Sequence, residues 1–213
     1  MHILIIYLFF LNSCDPCKGN QVCLKVMTIL NQVEHQYEGV SQSHNEKRAI
    51  LKIGHAAGPA LLFKLNNTKD MILKRAIIDW LGELRYEPSF SEIEQIATSD
   101  RNPNLRSFAV SSLYEIDPNR AEAIMAQLQK SEKEASVKII LAKVLGGYHS
   151  DSTADALKAL LNDPSPWVRR EAAWFLYVNQ GTASIKTLQT ALEKETDLAV
   201  KNRIWEIIKD QKQ

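Results

Sequence analysis

Three cysteines, Cys14, Cys17 and Cys23, lie close together near one end of this 213-residue sequence, and no other side chains in it are better suited to chemistry. Cys14 and Cys17 form a Cys-x-x-Cys pair, a spacing used for thiol exchange and for metal ligation. A redox pair of that type sits at a strand-to-helix junction, and no alternating apolar run here is long enough for a strand. A structural zinc site needs a fourth thiolate or imidazole. The nearest candidate is His35, twelve residues beyond Cys23. The five histidines are scattered, none is followed by Glu, and no His-x-x-x-His spacing occurs. Neither a Gly-rich phosphate loop nor a Gly-x-Ser-x-Gly elbow is present. The expectation is a protein that is not an enzyme, with no metal, no cofactor and no small-molecule substrate.

The composition bounds the rest. Lys and Arg number 26 and Asp and Glu 25, a net charge of +1, so a nucleic acid is not the expected partner. The hydrophobic fraction of 45% is ordinary for a chain with a real core. The length suits one large domain or two small ones.

Residues Ile3 to Leu11 are nine apolar residues in a row. Spanning a bilayer takes about 20, so this is no transmembrane helix but has the length of a signal-peptide apolar region. It runs directly into Leu11-Asn12-Ser13-Cys14, which resembles the lipobox of bacterial lipoproteins. The resemblance implies cleavage before Cys14, lipidation of its sulfur, and a membrane-anchored, extracytoplasmic protein, periplasmic in a Gram-negative host. Asp15 resembles the inner-membrane retention signal of enteric bacteria. If Cys14 is lipidated, Cys17 and Cys23 remain as an even pair in an oxidising compartment, and the intervening Lys18-Gly19-Asn20 can turn the chain for a disulfide.

The elements that position these residues follow from an internal repeat. Apolar residues begin a recurring pattern at Leu73, Leu105, Val137, Val168 and Val200, spaced 32, 32, 31 and 32 residues apart. Each start is followed by apolar or small residues at offsets 4, 7 and 8, one stripe of a helix. Offset 5 is apolar in every copy (Ile78, Val110, Ala142, Ala173, Trp205), so each stripe is wide enough to be buried from two sides. Trp80 and Trp205 are expected in the core. A degenerate upstream copy has Asn45 and Lys52 in apolar slots. Shorter apolar segments lie between the copies, at Pro59 to Leu65, Phe90 to Ala97, Arg120 to Leu128, Thr153 to Leu161 and Ala183 to Leu192. Ser89-x-x-Glu92 and Ser131-x-x-Glu134 read as capping boxes, and Asn102-Pro103 and Ser165-Pro166 as cap residues before Pro. The fold class is all-α, an α-solenoid of about five helix pairs with an N-terminal capping helix.

Each copy also carries a base at +1 and, except in the first, where Thr68 breaks the series, an acid at offset −5. The acids are Asp100, Glu132, Asp163 and Glu195, and the bases include Arg106, Lys138, Arg169 and Lys201. This pattern over residues 45–210 resembles the short bacterial HEAT repeats, the type also found in phycobilin-lyase-like proteins. The acid–base series is expected to act as a structural ladder that fixes repeat stacking. The repeated His-Glu pairs of the di-iron HEAT enzymes are missing. Bilin lyases of the family work in the cytosol as a paired subunit, which an exported chain fits poorly.

The chain is thus divided into a leader over 1–13, a tether and capping helix over 14–44, and a repeat domain over 45–213. The apolar face of the cap is assigned to Val22, Leu24, Val26, Met27, Leu30 and Val33. In such stacks the second helix of each pair lines a concave face, and offsets 2 and 6 point away from the buried stripe. They place Arg75, Asp79, Ile139, Lys143, Arg170 and Trp174 there as binding candidates for a protein or peptide. Trp and Arg are the residue types of interface hot spots, although Trp174 could equally pack under the fifth repeat. The function expected is a protein-interaction scaffold tethered to a membrane through lipid. The alternative is a cytosolic repeat protein that assists an enzyme or acts as one, lyase-like or dependent on thiols or metal through Cys14, Cys17 and Cys23.

Overall fold

The computed structural model describes residues 17–35 and 43–209. The leader, Cys14 and Asp15 lie outside the described residues. Among the described residues there are twelve α-helices and no strand. In chain order they are α1 (Gln21–His35), α2 (Ser43–Ile53), α3 (Gly58–Asn67), α4 (Met71–Glu83), α5 (Phe90–Ser99), α6 (Pro103–Ile116), α7 (Pro118–Ser131), α8 (Ala135–Gly146), α9 (Asp151–Leu160), α10 (Pro166–Gln180), α11 (Ile185–Lys194) and α12 (Leu198–Lys209). No helix among the described residues is long and apolar enough to cross a membrane.

The chain forms two compact units, Met1–Ser89 and Phe90–Gln213. The division falls inside the 45–213 array, because α1 and α2 share a core with α3 and α4. In this first unit Val26, Leu30, Ile50, Leu61, Leu73, Ile77 and Trp80 are buried. Val22 and Leu24 are exposed, which corrects the assigned capping face. Leu24 lies about 160° around the helix from Val26, and the buried stripe runs instead through Cys23, Val26, Ile29 and Leu30. Asp70 caps α4 by accepting the N–H groups of Ile72 and Leu73. A Cβ on Gly58 would overlap the Tyr86 ring, so glycine is what lets that ring close over the start of α3.

The second unit stacks four helix pairs, α5–α6, α7–α8, α9–α10 and α11–α12. The second helices pack side by side, α6 on α8, α8 on α10 and α10 on α12, and α7 packs on α9. The repeat offsets explain this layer. Offsets 0 and 4 are buried in every copy, and Val110, Ala142 and Ala173 at offset 5 are buried too. Trp205 at the same offset is 54% exposed, which corrects its assignment to the core. Trp80 is 1% exposed, as a core residue should be.

The helix starts are only partly those read from the sequence. Asn102 caps α6 through the N–H of Asn104, and Ser165 precedes Pro166 at the start of α10 without a side-chain cap bond. The two capping boxes do not form. Ser89 is buried with its hydroxyl donating to the Tyr86 carbonyl, and Ser131 ends α7 with its hydroxyl donating to that of Leu128. In both places the serine closes a preceding turn, so its oxygen is not presented to the next helix.

Candidate functional site

In the second unit the acid of each repeat sits at the turn between paired helices, and the base is the fourth residue of the second helix. The structure joins them across repeats. Arg106 on α6 grips Glu132, with Nε to Oε2 at 2.8 Å and Nη2 to Oε1 at 2.9 Å. Lys138 on α8 meets Asp163 at 2.6 Å. Arg169 on α10 grips Glu195 with two bonds of 2.8 Å. In each case the base reaches the acid of the following repeat. The guanidinium's remaining nitrogen also donates to the turn before its own helix, to the carbonyls of Asp100 and Asp163 respectively. Asp100 spends a carboxylate oxygen on the N–H of Asn102. Lys201 has no ion pair among the described residues.

These carboxylates retain 4, 7 and 6% of their side-chain exposure, so the ladder is an interior feature. Two hydrogen bonds from Arg169, and the N–H groups of Asp197 and Thr196, overcome burial and hold the Glu195 carboxyl at about 2, well below its usual 4.5. Burial alone would raise the Glu132 carboxyl, but Arg106 and the N–H groups of Glu134 and Lys133 lower it. An open depression lined by Asp100, Arg106, Glu132, Lys133 and Glu134 has its central charges committed to this pair. Among the described residues no cluster of His, Cys, Asp or Glu could hold a metal ion.

The binding candidates divide between the units. Arg75 and Asp79 belong to the first. Asp79 accepts a hydrogen bond from Lys47 at 2.7 Å, and Lys47 also contacts Glu83. Burial disfavours the Lys47 charge, but the two carboxylates outweigh it and raise its pKa. Arg75 is exposed. In the second unit Lys143 is exposed and Ile139 half-buried on α8.

Arg170 and Trp174 lie on α10 within a stripe that spacing alone had not delimited. The helix buries Val168, Ala172, Ala173, Leu176 and Asn179 on one side. On the opposite side Trp167 is 61% exposed, Trp174 38%, and Val178 is also exposed. Arg170 lies over the Trp167 ring, its guanidinium carbon 5.5 Å from the centroid, and Arg203 of α12 lies over Trp174 at 5.3 Å. Tyr177 is tilted against Trp174 with centroids 6.2 Å apart. Trp174 therefore is not core. The signal for Trp167 was its i, i+7 spacing to Trp174, which places both on one face.

Cys17 and Cys23 are joined by a disulfide with Cα atoms 5.1 Å apart, closing the turn that enters α1. The lipidation assigned to Cys14 concerns a residue outside the described region.

Residues 121–208 match a family model described as HEAT repeats. No curated protein matches the chain. Among solved structures, a chain in the complex of CpcE and CpcF of phycocyanin lyase from Nostoc sp. PCC7120 is similar at 15% identity and a TM-score of 0.45, over 86% of this chain and 98% of that one. A likeness that distant does not bear on function. The matched span covers α7 to α12, and with the repeated packing of second helix on second helix it makes the second unit an all-α solenoid of HEAT type.

Proposed function

We propose that this chain is a non-enzymatic protein-interaction module, tethered to a membrane as a lipoprotein through Cys14, whose binding surface is the exposed face of α10 in the second-helix layer. The observation that carries the binding surface is the exposure of Trp167 and Trp174 with arginines lying over both rings. A helix with large apolar side chains opposite its core face is normally covered on both sides. Aromatic and Arg anchors are enriched where that cover is a protein partner. Export is supported by the Cys17–Cys23 disulfide, since structural disulfides persist in oxidising compartments. The same bond leaves Cys14 as the sole cysteine for thiol chemistry in the alternative reading. The lipid anchor rests on the lipobox-like Leu11-Asn12-Ser13-Cys14.

The test has two arms. Mass spectrometry of the membrane-extracted protein should find acyl chains on Cys14, and Cys14→Ala should accumulate as an unprocessed or soluble form. An unmodified Cys14 thiol in the mature protein would overturn the anchor. Crosslinking in intact cells should capture a partner with the parent protein and lose it with Trp174→Ala. Retention of the same partner by that variant would move the interface elsewhere, to the loops around Tyr86 to Ser89 or Gly147 to Ser152.

A further inference from the structure

The α10 stripe has a spacing and a charge pattern that select among peptide conformations. Trp167 and Trp174 are two helical turns apart on one face, so about 10 Å separates them along the axis. An extended β-strand repeats its side chains at about 7 and 14 Å and cannot place equivalent groups on both rings. A polyproline-II helix returns to the same face every three residues, about 9 Å. A partner helix also repeats at about 10 Å over two turns, so the spacing admits it, but the exposed ring faces of Trp167 and Trp174 favour a flat ligand over an interdigitating ridge. Protruding aromatic rings at this spacing suit the flat pyrrolidine faces of prolines.

The charges around the rings are mainly cationic. Arg170 lies between the two tryptophans in sequence, Arg203 lies over Trp174, and Lys143 is exposed on the neighbouring α8. The acids nearby are Glu171, 3.5 Å from Arg170, and Glu206, 3.8 Å from Arg203. Those contacts are loose beside the two-pronged bonds of 2.8 and 2.9 Å that Arg106 and Arg169 make with Glu132 and Glu195. Stacking on indole orients a guanidinium plane while leaving its edge donors open to a carboxylate.

We infer that the face of α10 binds an acidic, proline-rich segment in polyproline-II conformation, with prolines of successive turns on Trp167 and Trp174 and carboxylates on Arg170 and Arg203. The inference rests on the reading of this face as the binding surface and names the chemistry of its partner.

The probe is a fluorescein-labelled (Pro-Pro-Glu)4 peptide, which presents two columns of proline and one of carboxylate, followed by anisotropy against the full chain. Saturable binding is expected, weakened about thirtyfold by Trp174→Ala and about tenfold or more by Arg170→Ala. Lys158→Ala, on α9, should bind like the parent, and each variant is checked for an unchanged melting curve. (Pro-Pro-Lys)4 should not bind, and (Gly-Ser-Glu)4 should bind at least tenfold more weakly. The inference is overturned if (Pro-Pro-Glu)4 does not bind, if (Gly-Ser-Glu)4 binds equally well, or if Trp174→Ala leaves affinity unchanged. It is also overturned if phosphatidylglycerol vesicles bind in a Trp167-dependent manner while the peptide does not. A crosslinked partner that depends on Trp174, with no binding of the peptide, would retain the interaction surface and reject only the proline-rich ligand.

Discussion

Arg169 reaches out of its own repeat and holds Glu195 of the next with two parallel hydrogen bonds of 2.8 Å, repeating the grip of Arg106 on Glu132 two repeats earlier. Both arginines also tie down a carbonyl in the turn preceding their own helix. One side chain thus links three things: the turn before it, the helix it sits on and the following repeat. In a solenoid, where each repeat contacts only its neighbours, such a link acts on the coupling between repeats.

Breaking that link on one side should cost more than an exposed ion pair is worth. Arg169→Met leaves Glu195 with little exposure and no cation, and the loss should be about 2–4 kcal/mol in urea unfolding. Glu195→Gln should cost less, because the amide oxygen can still accept from Arg169. A double-mutant cycle over the two positions should show coupling of at least about 0.5 kcal/mol, and additive losses would mean that the pair carries no specific energy.

The same pair sets an acid sensitivity. The Glu195 carboxyl is held at about 2 in the fold against a usual 4.5. A depressed folded-state value stabilises above the unfolded value and is lost as pH falls. Stability should therefore fall as pH drops from about 4.5 towards 2, with Glu132, also lowered, contributing in the same direction. Melting curves of Glu195→Gln across this window should be flatter than those of the parent, and an equal slope would exclude Glu195 as a source.

Gly146 ends α8 against Phe175 of α10. A Cβ there would lie 2.7 Å from a ring carbon and 2.8 Å from the Phe175 Cβ. Alanine gains about 1 kcal/mol of helix propensity, but the clash involves a main-chain-fixed atom that cannot swing away. Gly146→Ala should be destabilising by about 1–3 kcal/mol, in the range of overpacking. Gly146→Ala with Phe175→Leu should recover part of the loss. A stabilised single variant would show that α8 and α10 can separate freely.

Asn179 is buried in α10 and caps the end of the neighbouring repeat. Its amide donates to the carbonyls of Leu145 and Tyr148 and contacts the Thr153 hydroxyl. The Leu145 carbonyl at the end of α8 also accepts the Tyr148 N–H, whereas the buried Tyr148 carbonyl in the turn that follows is met by this side chain. Asn179→Leu should cost about 1–3 kcal/mol by leaving the buried Tyr148 carbonyl unmet. Hydrogen exchange should loosen first around residues 144–153, and protection unchanged there would place the stabilisation elsewhere.

Trp174 and Leu176 are two residues apart and should respond oppositely. Leu176 is fully buried, and Leu176→Ala should cost about 2–5 kcal/mol. Trp174 faces solvent on the opposite side, and Trp174→Ala should shift stability by no more than about 1 kcal/mol. A large drop in the Trp174→Ala melting temperature would show that its ring contributes to the core.

Much of this architecture was legible in the sequence because a helix's buried stripe leaves a period that needs no partner to be read. Leu73, Leu105, Val137, Val168 and Val200 mark the second helices, and all five are buried. The acid–base series was visible for the same reason, since charges recurring at fixed offsets occupy equivalent places. Which acid each base takes was not visible: Arg106 could have turned to Asp100 in its own repeat or to Glu132 in the next. Distances of 2.8 to 2.9 Å across the stack decide for Glu132, because side-by-side packing of α6 and α8 brings that turn within reach of the guanidinium. Trp205 shows the opposite limit. Its offset is that of Ala142 and Ala173, yet they are buried and it is exposed, because burial depends on what packs over a position and not on its offset in the repeat. Trp174 is the complementary case. Its type and offset left core and surface equally open, and the packing of α10 placed it outside, with Arg203 from the next helix laid over its ring. Periodicity along one chain is local and can be read directly. The partners of a side chain across two packed helices depend on which faces meet, and only the tertiary structure decides that.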